Sequence, residues 1–369
     1  MSDSFQNNGI EFKSYFGKIN PKDKILEAAK EFKGRRYPDK YQDFITTPDG
    51  DYIQDCRRIF DSKAFRRLQK KTQVITSPDN HYIRNRQQHT MEVFSVAMQI
   101  SSDLGLNTFL TQAGAAGHDI GHVAYGHLGE RMLSELGGKP FNHEIYGTVI
   151  AQMIESRGSG LNLTKDTLEA ILNHSFGLPD AEFMSRMRNE YSAVMYADKI
   201  AYVLSDVNDA IRIGKLSEEP ELAKKLGHSQ RERQFRVIDA LVHESKDKGF
   251  VCFSEGDTFE IFKDLRKYMT EHVYKEMDHS YERRNLEKEL TDIYGFFKEH
   301  EIFRGVDPVI AMSLLDDSDA RFLYDNLEKA KDDPKIIENM GMFEVIDYVR
   351  NRNIDYTKPD LDWEGIKTA

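Results

Sequence analysis

The chain has 369 residues, enough for one to three domains, with 31% charged residues and a formal net charge of −11. An acidic chain is a poor general binder of nucleic acid, so any phosphate recognition has to be local. Cys56 and Cys252 lack metal-ligand spacing, no apolar run is long enough for a membrane span, and residues 1–9 carry no leader pattern, so the sequence reads as a soluble cytoplasmic protein.

In chain order, residues 1–50 read as an N-terminal segment. A basic cluster follows: Arg57, Arg58, Lys63, Arg66, Arg67, Lys70 and Lys71, with Arg84 and Arg86 close behind. Its bland reading is a solvated helix face. Residues 86–104 place Val93, Val96, Ala97, Ile100 and Leu104 on one helical stripe, and His89 lies one turn before Val93 on the same face. An imidazole on a buried stripe needs a partner, and a metal supplies one. The next helix is expected over 108–119, closed by Gly121. Gly121, Gly126 and Gly129 mark a short loop into a helix over 127–136, stopped by Gly137 and Gly138. Further helices are expected over 143–156 and 165–174, with 161–164 as linker and cap.

Residues 190–213 predict a long helix buried on most sides. Asp198, Tyr202 and Asp206 recur on it every four residues, each about 40° further round the axis, with Lys199 at the edge of this polar stripe. Carboxylates are rarely buried unless paired or bound to metal, so the stripe is expected to face a site. Beyond residue 216 the chain reads as helical without new chemistry. Short strands are expected at 250–253 and 72–76. The whole is read as all-α: a catalytic core over 51–215 and a helical region over 216–369 packed on it.

The chemistry concentrates at His118-Asp119-Ile120-Gly121-His122, followed by His127, Glu130 and His143, in a chain with twelve histidines. Adjacent His118 and Asp119 offer one divalent cation a nitrogen and a carboxylate, and His89 and Asp198 could complete the shell. The bland alternative is a helix C-terminus with a satisfied histidine and a capping aspartate. Phosphate-loop, dinucleotide-fold, nucleophile-elbow and His-Glu-x-x-His patterns are absent. A mixed His/Asp site beside a basic arm suits hydrolysis of phosphate esters or anhydrides.

These residues resemble the HD-domain phosphohydrolases and, more narrowly, the deoxynucleoside triphosphate triphosphohydrolases of the dGTPase family. The resemblance spans roughly residues 50–356. It rests on 57–74, on 84–93 around His89, on the run from His118 to Glu130, and on Ala197-Asp198-Lys199-Ile200-Ala201-Tyr202 with Asp206. It implies an HD-domain helical bundle with a helical C-terminal extension, and His89, His118, Asp119 and Asp198 as metal ligands. It implies His127 and Glu130 as a catalytic pair, with His122 and His143 near the phosphates. Arg86 and Lys199 match phosphate-binding positions, and Gln73, Tyr202 and Asp206 match positions that read the deoxyribose. If His127 proved to be a ligand, the site would be dinuclear, with His143 or His174 as further candidates.

The implied reaction converts a dNTP to deoxynucleoside and tripolyphosphate with Mn²⁺ or Mg²⁺, and Fe²⁺, Co²⁺, Zn²⁺ or Ni²⁺ as alternatives. The implied partners are the dNTP, further copies of the chain (dimer to hexamer) and a nucleotide or single-stranded DNA effector, with no membrane. Rival readings are a nucleoside monophosphatase, a cyclic-nucleotide or (p)ppGpp hydrolase, or a regulatory nucleotide- or single-strand-binding protein. Two departures stand out: Val123-Ala124-Tyr125 replaces the family's Pro-Pro-Phe, and residues 351–356 replace its Gly-Met-Thr-Asp-Arg-Tyr element. The first changes loop stiffness beside the site, and the second bears on base selectivity.

Overall fold

A computed structural model describes residues 34–37, 49–74, 82–278 and 281–362. Helix α1 (Gly50–Asp61) stops at Ser62, whose hydroxyl accepts from the Phe65 amide and so opens α2 (Lys63–Arg67). Helix α3 (Arg86–Leu104) starts with a capping box between Asn85 and Gln88 and ends at Gly105 in the left-handed region. Its stripe from Val93 to Leu104 is buried, as the period requires. Helix α4 (Thr108–Gly117) is built from small residues because it runs through the centre. A Cβ at Gly114 would lie 2.6 Å from that of Ala170, and one at Gly117 would lie 2.5 Å from Ile171.

Helix α5 (His127–Gly137) and α6 (His143–Val149) follow, and α6 runs through one wide turn (Ile150–Ile154) into α7 (Glu155–Gly158). The continuous helix expected over 143–156 therefore breaks: Ser156 and Arg157 adopt φ of 50° and 59°. The buried Glu155 carboxylate at this break accepts from the Lys63 and Ala64 amides, so a contact to α2 overrides local helix propensity. Thr164 caps α8 (Lys165–Leu172), α9 (Ala181–Met184) is a single turn, and α10 (Asn189–Arg212) is buried along most of its length against α3, α4 and α8.

The C-terminal half comprises α11 (Glu221–Leu226), α12 (Gln230–Lys248), α13 (Asp257–Met269), α14 (Lys275–Asp278), α15 (Tyr281–Glu299), α16 (Pro308–Ser313), α17 (Asp317–Asp325), α18 (Leu327–Asp332) and α19 (Ile346–Val349). It divides between two cores. Residues of α11–α13 join those of α3 and α10 in one, while α15–α19 pack with α5 and α6 in the other. Among the described residues there is no sheet. The apolar run 250–253 forms no strand. Its amides donate to side chains instead, Val251 to Asn189, Cys252 to Ser245 and Phe253 to Tyr196. Burial of Val251, Cys252 and Phe253 explains why the segment is apolar without being a strand. Of 72–76, Thr72 makes an isolated antiparallel bridge to Asn85, and residues 75 and 76 lie outside the described set. No helix among the described residues is long and apolar enough to cross a membrane.

Candidate metal and phosphate site

Most of the residues singled out by the sequence line one cavity of about 540 Å³ where α3, the turn after α4, the start of α5 and α10 converge; His118 and Glu130 stand behind its wall. His118 follows the last turn of α4, and its Nδ1 lies 2.7 Å from the Ala115 carbonyl. A carbonyl only accepts, so this contact places the proton on Nδ1 and leaves a lone pair on Nε2. That Nε2 is buried without a hydrogen-bond partner in the protein. It sits 3.4 Å from Asp119 Oδ2 and 3.9 Å from Asp198 Oδ1, while His89 Nε2 is 3.0 Å from Asp198 Oδ1 and 3.9 Å from Asp119 Oδ2. His89, His118 and Asp119 bring one donor atom each within 4.8 Å of one another, with Asp198 Oδ1 beside both imidazoles, a nitrogen and oxygen set that suits a divalent cation. Burial alone would raise the Asp119 carboxyl, but His118, Arg86 and His122 outweigh it and hold Asp119 well below the usual carboxylate range. Asp198 is likewise lowered against its burial, by the hydrogen bond with His89 and by Lys199. Both carboxylates stand ready in their charged form.

A second group lies alongside. Glu130 Oε1 is 2.8 Å from His122 Nδ1, 2.9 Å from His143 Nδ1 and 3.5 Å from His127 Nδ1. The His122 and His143 rings stack at 3.8 Å and 15°. His122, His127, Glu130 and His143 bring one ligand atom each within 4.8 Å of one another, so this group too could hold a cation. Burial favours neutral His143, but Glu130 overrides it and lifts His143 to about 9; burial and Arg86 push His122 down to about 4. His127 is exposed at the mouth, 77% of its side chain open to solvent, where a substrate can reach it.

The sequence offers His174 only as a contingent ligand. Its Nδ1 contacts the Ile171 carbonyl and its Nε2 lies 3.1 Å from His143 Nε2, so Asp119, His143 and His174 form a further donor group able to hold a cation. It stands alone after α8, with no adjacent motif to flag it.

Arg86 is buried and already engaged: Nε donates to the Thr72 carbonyl, Nη2 to that of Gln73, and Nη1 to Asp119 at 2.8 Å. Lys199 lines the cavity, lowered by burial to about 8. Gln73 lines it too, with Oε1 buried and unpartnered. Tyr202 is on the wall, its hydroxyl accepting from Arg266 Nε at 2.8 Å. Asp206 is not on the cavity wall; it accepts from Tyr274 at 2.8 Å and pairs with Arg84 at 3.1 Å. The basic cluster divides. Lys63 pairs with Glu344 and Arg57 contacts Asp61 on the outer surface, as the bland reading has it. Two cavity cations, Lys215 and Arg266, come instead from beyond α10, outside that cluster; Arg266 falls in the stretch around 265–274 that resembles the family only loosely.

The HD-domain profile matches residues 86–203, the segment that carries all four of the candidate metal ligands. The chain is 36% identical over 280 residues to the "Deoxyguanosinetriphosphate triphosphohydrolase-like protein" of Clostridium tetani, covering 73% of this chain and 78% of that relative. Proteins of the same name are 37% identical over 282 residues in Clostridium perfringens strain SM101 (70% and 82% covered) and 28% identical over 348 residues in Caulobacter vibrioides (76% and 86%). With this similarity and the His/Asp cavity described above, the chain belongs to the HD-domain deoxyguanosinetriphosphate triphosphohydrolase-like family and is a metal-dependent phosphohydrolase.

Proposed function

We propose that the protein hydrolyses deoxynucleoside triphosphates to deoxynucleoside and inorganic tripolyphosphate, with Mn²⁺ or Mg²⁺ as the working ion. The observation that carries this reading is that one cavity joins three of the proposed ligands, the exposed His127, four cationic side chains and the aromatic wall of Tyr202. His89, His118, Asp119 and Asp198 would hold a divalent cation, which would supply Lewis acidity toward a phosphate oxygen and make a water more acidic. Arg86, Lys199, Lys215 and Arg266 offset the charge of the triphosphate. Water attacks the α-phosphorus and sheds a proton to solvent, the bond to the 5′-oxygen breaks, and the leaving oxygen takes a proton from His127, which solvent restores. Glu130, within 3.5 Å of His127 Nδ1, orients that ring. Tyr202 packs against the deoxyribose and leaves no room for a 2′-hydroxyl. The name of the relatives points to dGTP as the first nucleotide to assay.

Incubation with each of the four dNTPs and Mn²⁺ or Mg²⁺, with products separated by ion exchange, tests the reaction. Tripolyphosphate is expected. Orthophosphate released from nucleoside monophosphates, with dNTPs untouched, would overturn the reading.

A further inference from the structure

The region after residue 216 reads from sequence as a helical appendage. One of its residues reaches the frame of the site. Asp317, the first residue of α17, is buried, and its two carboxylate oxygens hold two different loops. Oδ2 accepts from the Thr72 amide at 2.8 Å and from the Thr72 hydroxyl, and Oδ1 accepts from the Tyr125 amide at 2.8 Å. Each loop leads directly to the chemistry. The Thr72 and Gln73 carbonyls accept from Arg86, which donates in turn to Asp119. Tyr125 and Gly126 are the last two residues before His127. Tyr125 sits at φ 61°, a conformation a non-glycine residue adopts only when its surroundings enforce it. What enforces it is the same corner: the amide on Asp317 and the ring hydroxyl on Glu289 of α15. Gly126 closes against Arg86, since a Cβ there would lie 2.9 Å from Nη2.

We infer that Asp317 is a positioning residue for the hydrolytic site. Its carboxylate fixes the separation of the Thr72–Gln73 loop, which aims Arg86 at Asp119, from the Tyr125–Gly126 turn, which aims His127 at the cavity. The C-terminal helices are thereby part of the catalytic frame. This rests on the proposed role of His127, so the test needs one arm that does not depend on turnover.

Asp317→Asn keeps the size but replaces one acceptor with a donor facing an amide. In the full chain, amide exchange at Thr72 and Tyr125 should accelerate about tenfold or more. The kcat for the best dNTP should fall about 10- to 100-fold, the scale of a misplaced catalytic group, with KM within about threefold and Mn²⁺ stoichiometry unchanged. Thr72→Val, which removes only the hydroxyl, should show a smaller loss of the same kind and should add little on top of Asp317→Asn. Unchanged exchange in the variant, an unchanged kcat, or a loss that follows metal content would overturn the inference. Faster exchange at both amides in a protein that turns over no dNTP would instead count against the proposed reaction and leave the clasp standing.

Discussion

Tyr202 separates two roles that a half-buried tyrosine can play, and two substitutions tell them apart. Its hydroxyl accepts one hydrogen bond, from Arg266 Nε at 2.8 Å, and its ring forms part of the cavity wall. Tyr202→Phe removes the hydrogen bond and keeps the ring. A bond from a charged donor is worth about 1.5–3 kcal/mol, and any loss should fall equally on dNTP and NTP, leaving the ratio of their kcat/KM values within about twofold. Tyr202→Ala removes the ring. Crowding by a group the size of a hydroxyl or methylene is worth about 1–3 kcal/mol, so the preference for dNTP over NTP should shrink by about 10- to 200-fold, even as both rates drop. The assay compares dGTP with GTP under the same Mn²⁺ concentration in wild type and both variants. An alanine variant with an undiminished ratio, or a phenylalanine variant that loses as much discrimination as alanine, would refute the steric argument.

Four further expectations follow from the same geometry. Asp119→Asn keeps an acceptor for Arg86 but removes a ligand charge, so the thermal stabilisation of wild type by Mn²⁺, about 2.7 kcal/mol at a hundredfold excess over Kd, should vanish together with turnover; a variant melting curve that still responds to Mn²⁺ would contradict the ligand set. His127→Ala should retain the ion by elemental analysis and lose about 10²- to 10⁴-fold in kcat, whereas parallel loss of metal would make His127 a ligand. Gly121→Ala would place a Cβ 2.0 Å from the His143 carbonyl oxygen and 2.3 Å from the Gly147 amide nitrogen, backbone atoms that cannot swing aside, so chemical denaturation should show a loss of about 3 kcal/mol; wild-type stability in that variant would mean the turn relaxes freely. Burial, partly offset by Arg84, lifts the Asp206 carboxyl to about 6, so the folded state binds this proton more tightly than the unfolded chain and wild-type stability falls as pH rises from about 4 to 6; relative to wild type, Asp206→Asn should gain about 2 kcal/mol between pH 4.5 and 7.5, and parallel urea midpoints across that range would rule this out.

Local signals in the chain determined a good deal. The 3.6-residue period alone gives α3 and α10, because their buried stripes must be apolar whatever they pack against. The capping residues Asn85 and Thr164 mark helix starts because they satisfy amides within three residues of themselves. The proposed ligands were legible for a similar reason: His118 and Asp119 are adjacent, and His89 and Asp198 sit as polar exceptions on apolar faces, where burial demands a partner. Tertiary structure decided what no local pattern encodes. The run 250–253 has the composition of a strand, yet its amides found side-chain acceptors on Asn189, Ser245 and Tyr196, and no neighbouring strand formed. Asp206 and Asp198 share one helical stripe, but Arg84 and Tyr274 hold Asp206 away from the cavity wall. His174, Lys215, Arg266 and Asp317 come to the site from separate parts of the chain, with Asp317 meeting Thr72 across 245 residues. A residue whose function depends on such a partner carries no periodic signature of it, because hydrogen-bond geometry is set by the packing of whole helices and exists only once both cores have closed.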